Sequence, residues 1–162
     1  MEKINVYVMI GLPGAGKDTW IGNNLPNCKY VVSRDDIRIQ LGMCGPGGKT
    51  VGNRDEEDTV TKIFNNKLKM CIFNALEDQK KGVKSDIVIN NTNLTKWQRD
   101  AYKKLLANHY VNWIYVVITA PSIEDNIQRR DGQIDSEIIR RLAKRYQPPT
   151  PDEYDEIIRV NQ

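Results

Sequence analysis

Residues Gly11-Leu12-Pro13-Gly14-Ala15-Gly16-Lys17 carry the G-x-x-x-x-G-K spacing of a phosphate-binding P-loop. They lie between an apolar run that reads as a strand and a segment that reads as a helix. Gly11, Gly14 and Gly16 let backbone N–H groups turn inward around phosphate oxygens, with Pro13 and Ala15 filling the turn between them. The helix N-terminus adds its positive dipole, and Lys17 is placed to reach β- and γ-phosphates. Asp18 and Thr19 follow. Asp18 stands where Ser or Thr usually holds Mg²⁺, and a carboxylate that close to a triphosphate needs a cation to screen it. Asp18 is therefore the candidate metal contact, through water, unless the metal relies more on the nucleotide. The plain alternative for the whole motif is a Gly-rich strand–helix turn with an incidental lysine. A second run, Gly45-Pro46-Gly47-Gly48-Lys49-Thr50, fails the pattern, because Met43 stands where its first glycine is needed and no strand precedes it.

Three further groups bear on the same chemistry. Ser33-Arg34-Asp35-Asp36-Ile37-Arg38 follows a second apolar run. In an open α/β sheet ligands bind beyond the carboxyl ends of the strands. There Asp35 can accept a proton from an attacking hydroxyl, and Arg38, one helical turn on, can hold an acceptor phosphate. The alternative is a helix cap with a surface ion pair. Asn90-Asn91-Thr92-Asn93-Leu94 follows a third run; an acidic residue is the usual occupant near this strand end, and here Asn91 and Thr92 are candidates to hydrogen-bond phosphate or water. An Asn-rich turn before a helix is the alternative. Arg129 and Arg130 sit side by side in a polar segment, and an arginine closing over a transferring phosphoryl group is the chemistry they suggest. A solvated pair at a helix end is the alternative. The stripe Arg140, Arg141, Lys144 and Arg145 reads as a solvated face, and His109 as structural or surface.

The elements that must position these residues alternate between strand and helix. Strands are expected at 4–10, 29–33, 86–90 and 111–119. Helices are expected at 17–25, after a Ser33 cap, at 55–81, and from Thr95 with Gln98 completing a capping box. Val60, Ile63, Phe64, Leu68, Cys71, Ile72, Ala75 and Leu76 form the apolar face of the long helix, and Gly82 stops it. Trp97, Ala101 and Leu105 are read as the inner face of the next. Ile138, Ile139, Leu142 and Tyr146 are read as one side of the last helix, opposite the basic stripe. The Gly-rich stretch 42–52 is read as a mobile loop, with Lys49 or the following Arg54 as candidates to touch substrate, 121–132 is read as a lid, and the tail from Gln147 as extended. Strand–helix alternation predicts an α/β domain with a mainly parallel sheet.

Composition narrows the class. A chain of 162 residues, 40% hydrophobic and 28% charged, suits one domain, 1–162, with a buried core. No apolar run approaches the roughly 20 residues of a membrane span, and the N-terminus reads as a strand and not as a secretion signal. Cys28, Cys44 and Cys71 are scattered without a zinc-ligand spacing, which fits a reducing cytoplasm. The net charge of +3 alone does not specify a nucleic-acid partner.

Gly11 to Trp20, Ser33 to Arg38 and Asn91 to Leu94, in that order along the chain, resemble the kinase domain of phage polynucleotide 5′-hydroxyl kinase, over about residues 4–147. The resemblance implies a P-loop kinase-like three-layer α/β/α sandwich with an arginine-bearing lid, in the host cytoplasm for a phage-encoded chain. It implies transfer of the ATP γ-phosphate, with Mg²⁺, to the 5′-OH of DNA or RNA. Lys17 and Thr19 would hold ATP phosphates, and Asp35 would be the general base. Arg38 would contact the phosphate beside the acceptor hydroxyl, and Arg129 or Arg130 the donor phosphates. Asp18 and Asn91 depart from the family pattern, which has a hydroxyl residue and an Asp there. No Asp-x-Asp-x-Thr motif is present, so 3′-phosphatase activity is not expected. A kinase of nucleosides, nucleotides or metabolites, and a non-catalytic ATP-binding module, are the rival readings.

Overall fold

The structure, a computed structural model, describes residues 1–43, 52–130 and 134–162. Strand β1 (Ile4–Ile10) leads through the P-loop into helix α1 (Lys17–Asn24), and β2 (Tyr30–Val32) into α2 (Arg34–Gln40). Helix α3 (Arg54–Lys80) precedes β3 (Ile87–Ile89), α4 (Lys96–Leu105) and β4 (Val111–Thr119). Helices α5 (Ile123–Arg129) and α6 (Ser136–Arg145), a 3₁₀ turn (Pro151–Glu153) and β5 (Glu156–Asn161) complete the chain. Among the described residues the strands form a five-stranded sheet, ordered β2-β3-β1-β4-β5, with every pair parallel.

Strand alternation splits the core between the two sheet faces. Ile4, Val6, Val8 and Ile10 point to one side, where Val60, Phe64, Leu68 and Ile72 of α3 and Tyr102 of α4 cover them. Met9, with Val88, Val116 and Ile118, points to the other, against Trp20, Ile21 and Leu25. This gives the three-layer α/β/α sandwich. Helix α3 buries Val60, Phe64, Leu68, Ile72 and Ala75, the stripe that the sequence periodicity outlines. Its start is fixed one residue earlier than expected, by an Asn53–Glu56 capping box. Ser33 caps α2 by accepting from the Asp36 amide at 3.3 Å, and Thr95 with Gln98 caps α4.

Several expectations are corrected. Helix α4 faces the core with Arg99 and Tyr102, with Leu105 half-buried and the C-cap Leu106 buried, whereas Trp97 is 79% exposed and Ala101 is also exposed. The polar groups decide this rotation: Arg99 meets Glu153, and the Tyr102 hydroxyl reaches Asn93, so the apolar pattern of α4 alone is misleading. On α6, Ile139 is buried, but Ile138 faces solvent at 41% beside the exposed basic stripe. The polar segment 121–132 contains a helix, α5, capped by Ser122. The tail turns through Pro151–Glu153 and adds an edge strand, with Ile114 opposite Glu156. Its partial burial makes its apolar alternation weak in the sequence. Residues 44–51, including Lys49, lie outside the described residues, as do 131–133 of the lid segment. Among the described residues no helix is long and apolar enough to cross a membrane.

Candidate functional site

The carboxyl ends of β1, β2 and β3 bring the sequence-predicted residues to one edge of the sheet. The P-loop leaves β1 under tight steric control. A Cβ on Gly11 would lie 2.7 Å from the Ile118 carbonyl oxygen. Gly14 adopts a φ of 80°, and a Cβ there would meet the Asn126 carbonyl oxygen at 2.7 Å. Gly16 has a φ of 104° and is the N-cap of α1, with no side chain bonded to the first-turn amides. A glycine at that position leaves the helix N-terminus to an anion. Ala15 is buried beneath the loop, and the Pro13 carbonyl accepts from Asn126 Nδ2 at 3.1 Å. The Lys17 ammonium donates to the carbonyls of Gly11 at 2.8 Å and Leu12 at 3.1 Å, so its charge lies across the mouth of the loop.

Asp18 and Thr19 both stand exposed on the first turn of α1. Asn90, the residue after β3, donates from Nδ2 to Asp18 Oδ1 at 2.7 Å. Asn90 Oδ1 is buried without a hydrogen-bond partner among the described residues. Asn91 turns the other way: its Oδ1 accepts from the Arg34 amide at 2.9 Å and its Nδ2 donates to the Tyr102 hydroxyl at 3.0 Å. Asn91 therefore fastens the start of α2. Thr92 accepts through its carbonyl from the Gly11 amide at 3.1 Å, joining the β3–α4 loop to the P-loop. Asn93, at a φ of 50°, donates to the Met9 carbonyl at 2.6 Å and pins the same loop beneath β1.

On α2, Arg38 Nη1 donates to Asp35 Oδ1 at 2.8 Å. The other side of the guanidinium is bidentate to Glu57 of α3, through Nη2 to Oε1 at 2.6 Å and Nε to Oε2 at 3.1 Å. The bond from Arg38 holds the Glu57 carboxyl below its ordinary range against a smaller opposing effect of burial. Burial works against the Arg38 charge, yet the bonds to Glu57 and Asp35 keep its pKa above the usual value. The Asp35 side chain is 43% exposed against 12% for Arg38, so the carboxylate faces outward from a clamped cation.

Helix α5 and the residue after it lie against the P-loop. Arg129 Nη1 donates to the Gly14 carbonyl and to Gln162 Oε1, both at 3.0 Å. A Cβ on Gly14 would come within 3.3 Å of Arg130 Cγ, so both arginines border the loop. Gln162, beyond β5, packs on Gly16. Sequence reasoning missed Asn90, Glu57, Asn126 and Gln162. Asn90 had a signal, as the first residue past a buried strand; Glu57 and Gln162 had none, since their partners lie on other elements.

Residues 6–149 match the AAA-domain protein family. The chain belongs to that family. Among curated proteins no sequence matches this AAA domain. Solved structures share its fold at low identity. A sugar kinase from Janibacter sp. is 15% identical with a TM-score of 0.61, the match covering 99% of this chain and 86% of that one. A fungal RNA kinase is 16% identical with a TM-score of 0.61, covering 100% of this chain and 40% of that one. Kti12 from Chaetomium thermophilum, in complex with ADP-AlF3, is 13% identical with a TM-score of 0.57, covering 96% and 88%. The fold of this AAA domain is thus that of the P-loop kinases.

Proposed function

We propose that this AAA domain is an ATP-dependent polynucleotide kinase that transfers the γ-phosphate to the 5′-OH end of DNA or RNA. One observation carries the reading: an outward-facing carboxylate, Asp35, is bonded to Arg38 at the same sheet edge as a P-loop whose lysine and helix N-terminus suit phosphate. The fungal RNA kinase neighbour supports a polynucleotide acceptor.

In this reading the P-loop amides and Lys17 bind the β- and γ-phosphates, with Thr19 beside them. Asp35 takes the proton of the acceptor hydroxyl as its oxygen bonds to the γ-phosphorus. The bond from that phosphorus to the β,γ-bridging oxygen breaks, and ADP leaves. Arg38 holds the phosphate next to the acceptor hydroxyl, Thr92 borders the phosphates, and Arg129 or Arg130 neutralises charge on the transferring group. Asn91 serves the acceptor side indirectly, by fixing the start of α2. Mg²⁺, when bound, neutralises the charge of the triphosphate. The residues present fit it: Asp18 offers a carboxylate, and Asn90 Oδ1 is a buried oxygen with no partner among the described residues. The described residues hold no group of three or more His, Cys, Asp or Glu placed to bind a metal ion.

A small-molecule kinase is the second reading. It is favoured by the bidentate hold of Glu57 on Arg38, which competes with an acceptor phosphate, and by the sugar-kinase neighbour. Radiolabelled-ATP transfer against 5′-OH DNA, 5′-OH RNA, nucleosides and sugars separates the two. Labelled oligonucleotide ends are expected. Label in small alcohols alone would replace the first reading by the second, and ATP binding without transfer to any acceptor would leave a non-catalytic binding module.

A further inference from the structure

We propose that Asp18 and Asn90 form a transposed metal-binding pair, in which the carboxylate sits on the P-loop helix and the neutral oxygen donor at the end of β3. The inference rests on the nucleotide site described above and concerns how that site takes its cation.

The usual arrangement places a hydroxyl residue after the P-loop lysine and a carboxylate on the neighbouring strand. A hydroxyl there donates to the carboxylate, and the pair carries one negative charge. In this chain Asp18 follows the lysine, and the side chain that meets it from the end of β3 is that of Asn90, while Asn91 turns to Arg34 and Tyr102. Asn90 Nδ2 donates to Asp18 Oδ1 at 2.7 Å, so the direction of the bond is reversed while the pair again has one donor, one acceptor and one negative charge. Either change alone would break this balance. Asp at position 18 facing Asp at 90 would put two carboxylates at hydrogen-bond distance, and Ser at 18 facing Asn at 90 would leave the site without charge.

The placement is rigid at the Asn90 end. Its backbone amide donates to the Val32 carbonyl at 2.8 Å, between β2 and β3. Asn90 Oδ1, buried and without a partner among the described residues, is a hard oxygen of the type Mg²⁺ prefers. Asp18 directly follows Lys17 and is exposed, with its Oδ1 at 2.7 Å from Asn90 Nδ2. Mg²⁺ typically combines one or two protein carboxylates with substrate phosphates and retained waters. A single carboxylate backed by an amide oxygen meets that requirement once a nucleotide is bound, and on its own holds the metal weakly.

The test measures binding of a non-hydrolysable ATP analogue by calorimetry, in Mg²⁺ and in EDTA. In the natural protein Mg²⁺ is expected to tighten binding by about 10- to 100-fold, the range over which ligand-shell changes act. Asp18→Asn should remove most of that Mg²⁺ dependence, while affinity in EDTA holds or improves because a carboxylate no longer faces the phosphates. Asn90→Asp should lower the melting temperature in EDTA and regain it with Mg²⁺ alone. Asp18→Ser/Asn90→Asp, which restores the usual arrangement, should recover the Mg²⁺ dependence that Asp18→Asn loses. Full Mg²⁺ dependence in Asp18→Asn would overturn the inference, as would a double variant no better than Asp18→Asn. If the natural protein bound no ATP analogue at all, the nucleotide site would fall and this inference with it.

Discussion

Replacing Arg99 by Met is the substitution whose effect can be worked most fully from the structure. Arg99 is fully buried and bonds Glu153 through Nε at 2.8 Å and Nη2 at 3.5 Å. It also donates to the carbonyls of Asn93, Leu94 and Gln147 at 2.9–3.0 Å. One side chain thus ties the β3–α4 loop, which supports the P-loop through Thr92, to the tail that leads into β5. Methionine fills similar volume but leaves a buried carboxylate whose remaining side-chain hydrogen bonds, among the described residues, come from Thr150. Removing one partner of a buried pair costs about 3–5 kcal/mol. With 162 residues, and about 2.1 cal/mol/K of unfolding entropy per residue, each kcal/mol lowers the Tm by about 3 °C. The expected drop is therefore about 9–15 °C.

The pH dependence of that loss gives a second check. Burial alone would raise the Glu153 carboxyl, yet its bond to Arg99 holds it below the ordinary range. Its contribution is present at neutral pH and is lost as pH falls through the depressed value. Without Arg99 the buried carboxyl is pushed upward, and the folded state then loses stability as pH rises. The stability gap between the natural protein and Arg99→Met should accordingly be wider at pH 7 than at pH 4. Arg99→Met/Glu153→Leu should recover about 2 kcal/mol of the loss, leaving roughly 1–3 kcal/mol for the carbonyls that lose a charged donor. Urea unfolding at both pH values measures these quantities. A single-variant cost below about 1 kcal/mol, or an equal gap at both pH values, refutes the reasoning.

Lys17→Ala should abolish phosphoryl transfer with the far-ultraviolet circular dichroism unchanged, whereas Lys49→Ala should retain most activity; a dead Lys49 variant beside an active Lys17 one would relocate the nucleotide site. Asp35→Asn should lower kcat by roughly 10²- to 10⁴-fold with ATP affinity held, measured by single turnover and analogue binding. Arg38→Lys should raise KM more for a 5′-OH oligonucleotide than for a nucleoside, because lysine cannot copy the planar fork; equal losses on both acceptors would assign Arg38 to ATP or to the fold. Asp78 accepts from Ser85 Oγ at 2.6 Å, the Tyr30 hydroxyl at 2.7 Å and Lys29 Nζ at 2.9 Å, which together hold its carboxyl well below the usual range. Its contribution to stability is present above the ordinary carboxylate value and fades as pH falls toward the depressed one. Asp78→Asn should therefore flatten the acid limb of a Tm-against-pH curve, and an unchanged limb would assign acid sensitivity elsewhere.

Local signals account for what was legible in the sequence. The P-loop glycines, the apolar runs Ile4–Ile10 and Val111–Thr119, the stripe on α3, and the Ser33 and Thr95 caps each act within a few residues of chain, and the sequence alone determined them. The parallel sheet followed from their alternation, and with it the gathering of Lys17 and Asp35 at one edge. Tertiary contacts decided the rest. The rotation of α4 depended on a buried ion pair whose partners are 54 residues apart, so an apolar pattern that favoured Trp97 lost to Arg99. The fifth strand exists because β4 offers an edge at Ile114–Thr119, a feature of β4's place in the sheet and not of the tail's own pattern. Asn91 and Asn90 are neighbours in sequence, yet one secures α2 and the other meets Asp18 across 72 residues. Successive side chains leaving a strand point to opposite sides, and only the packed sheet determines which side holds the site.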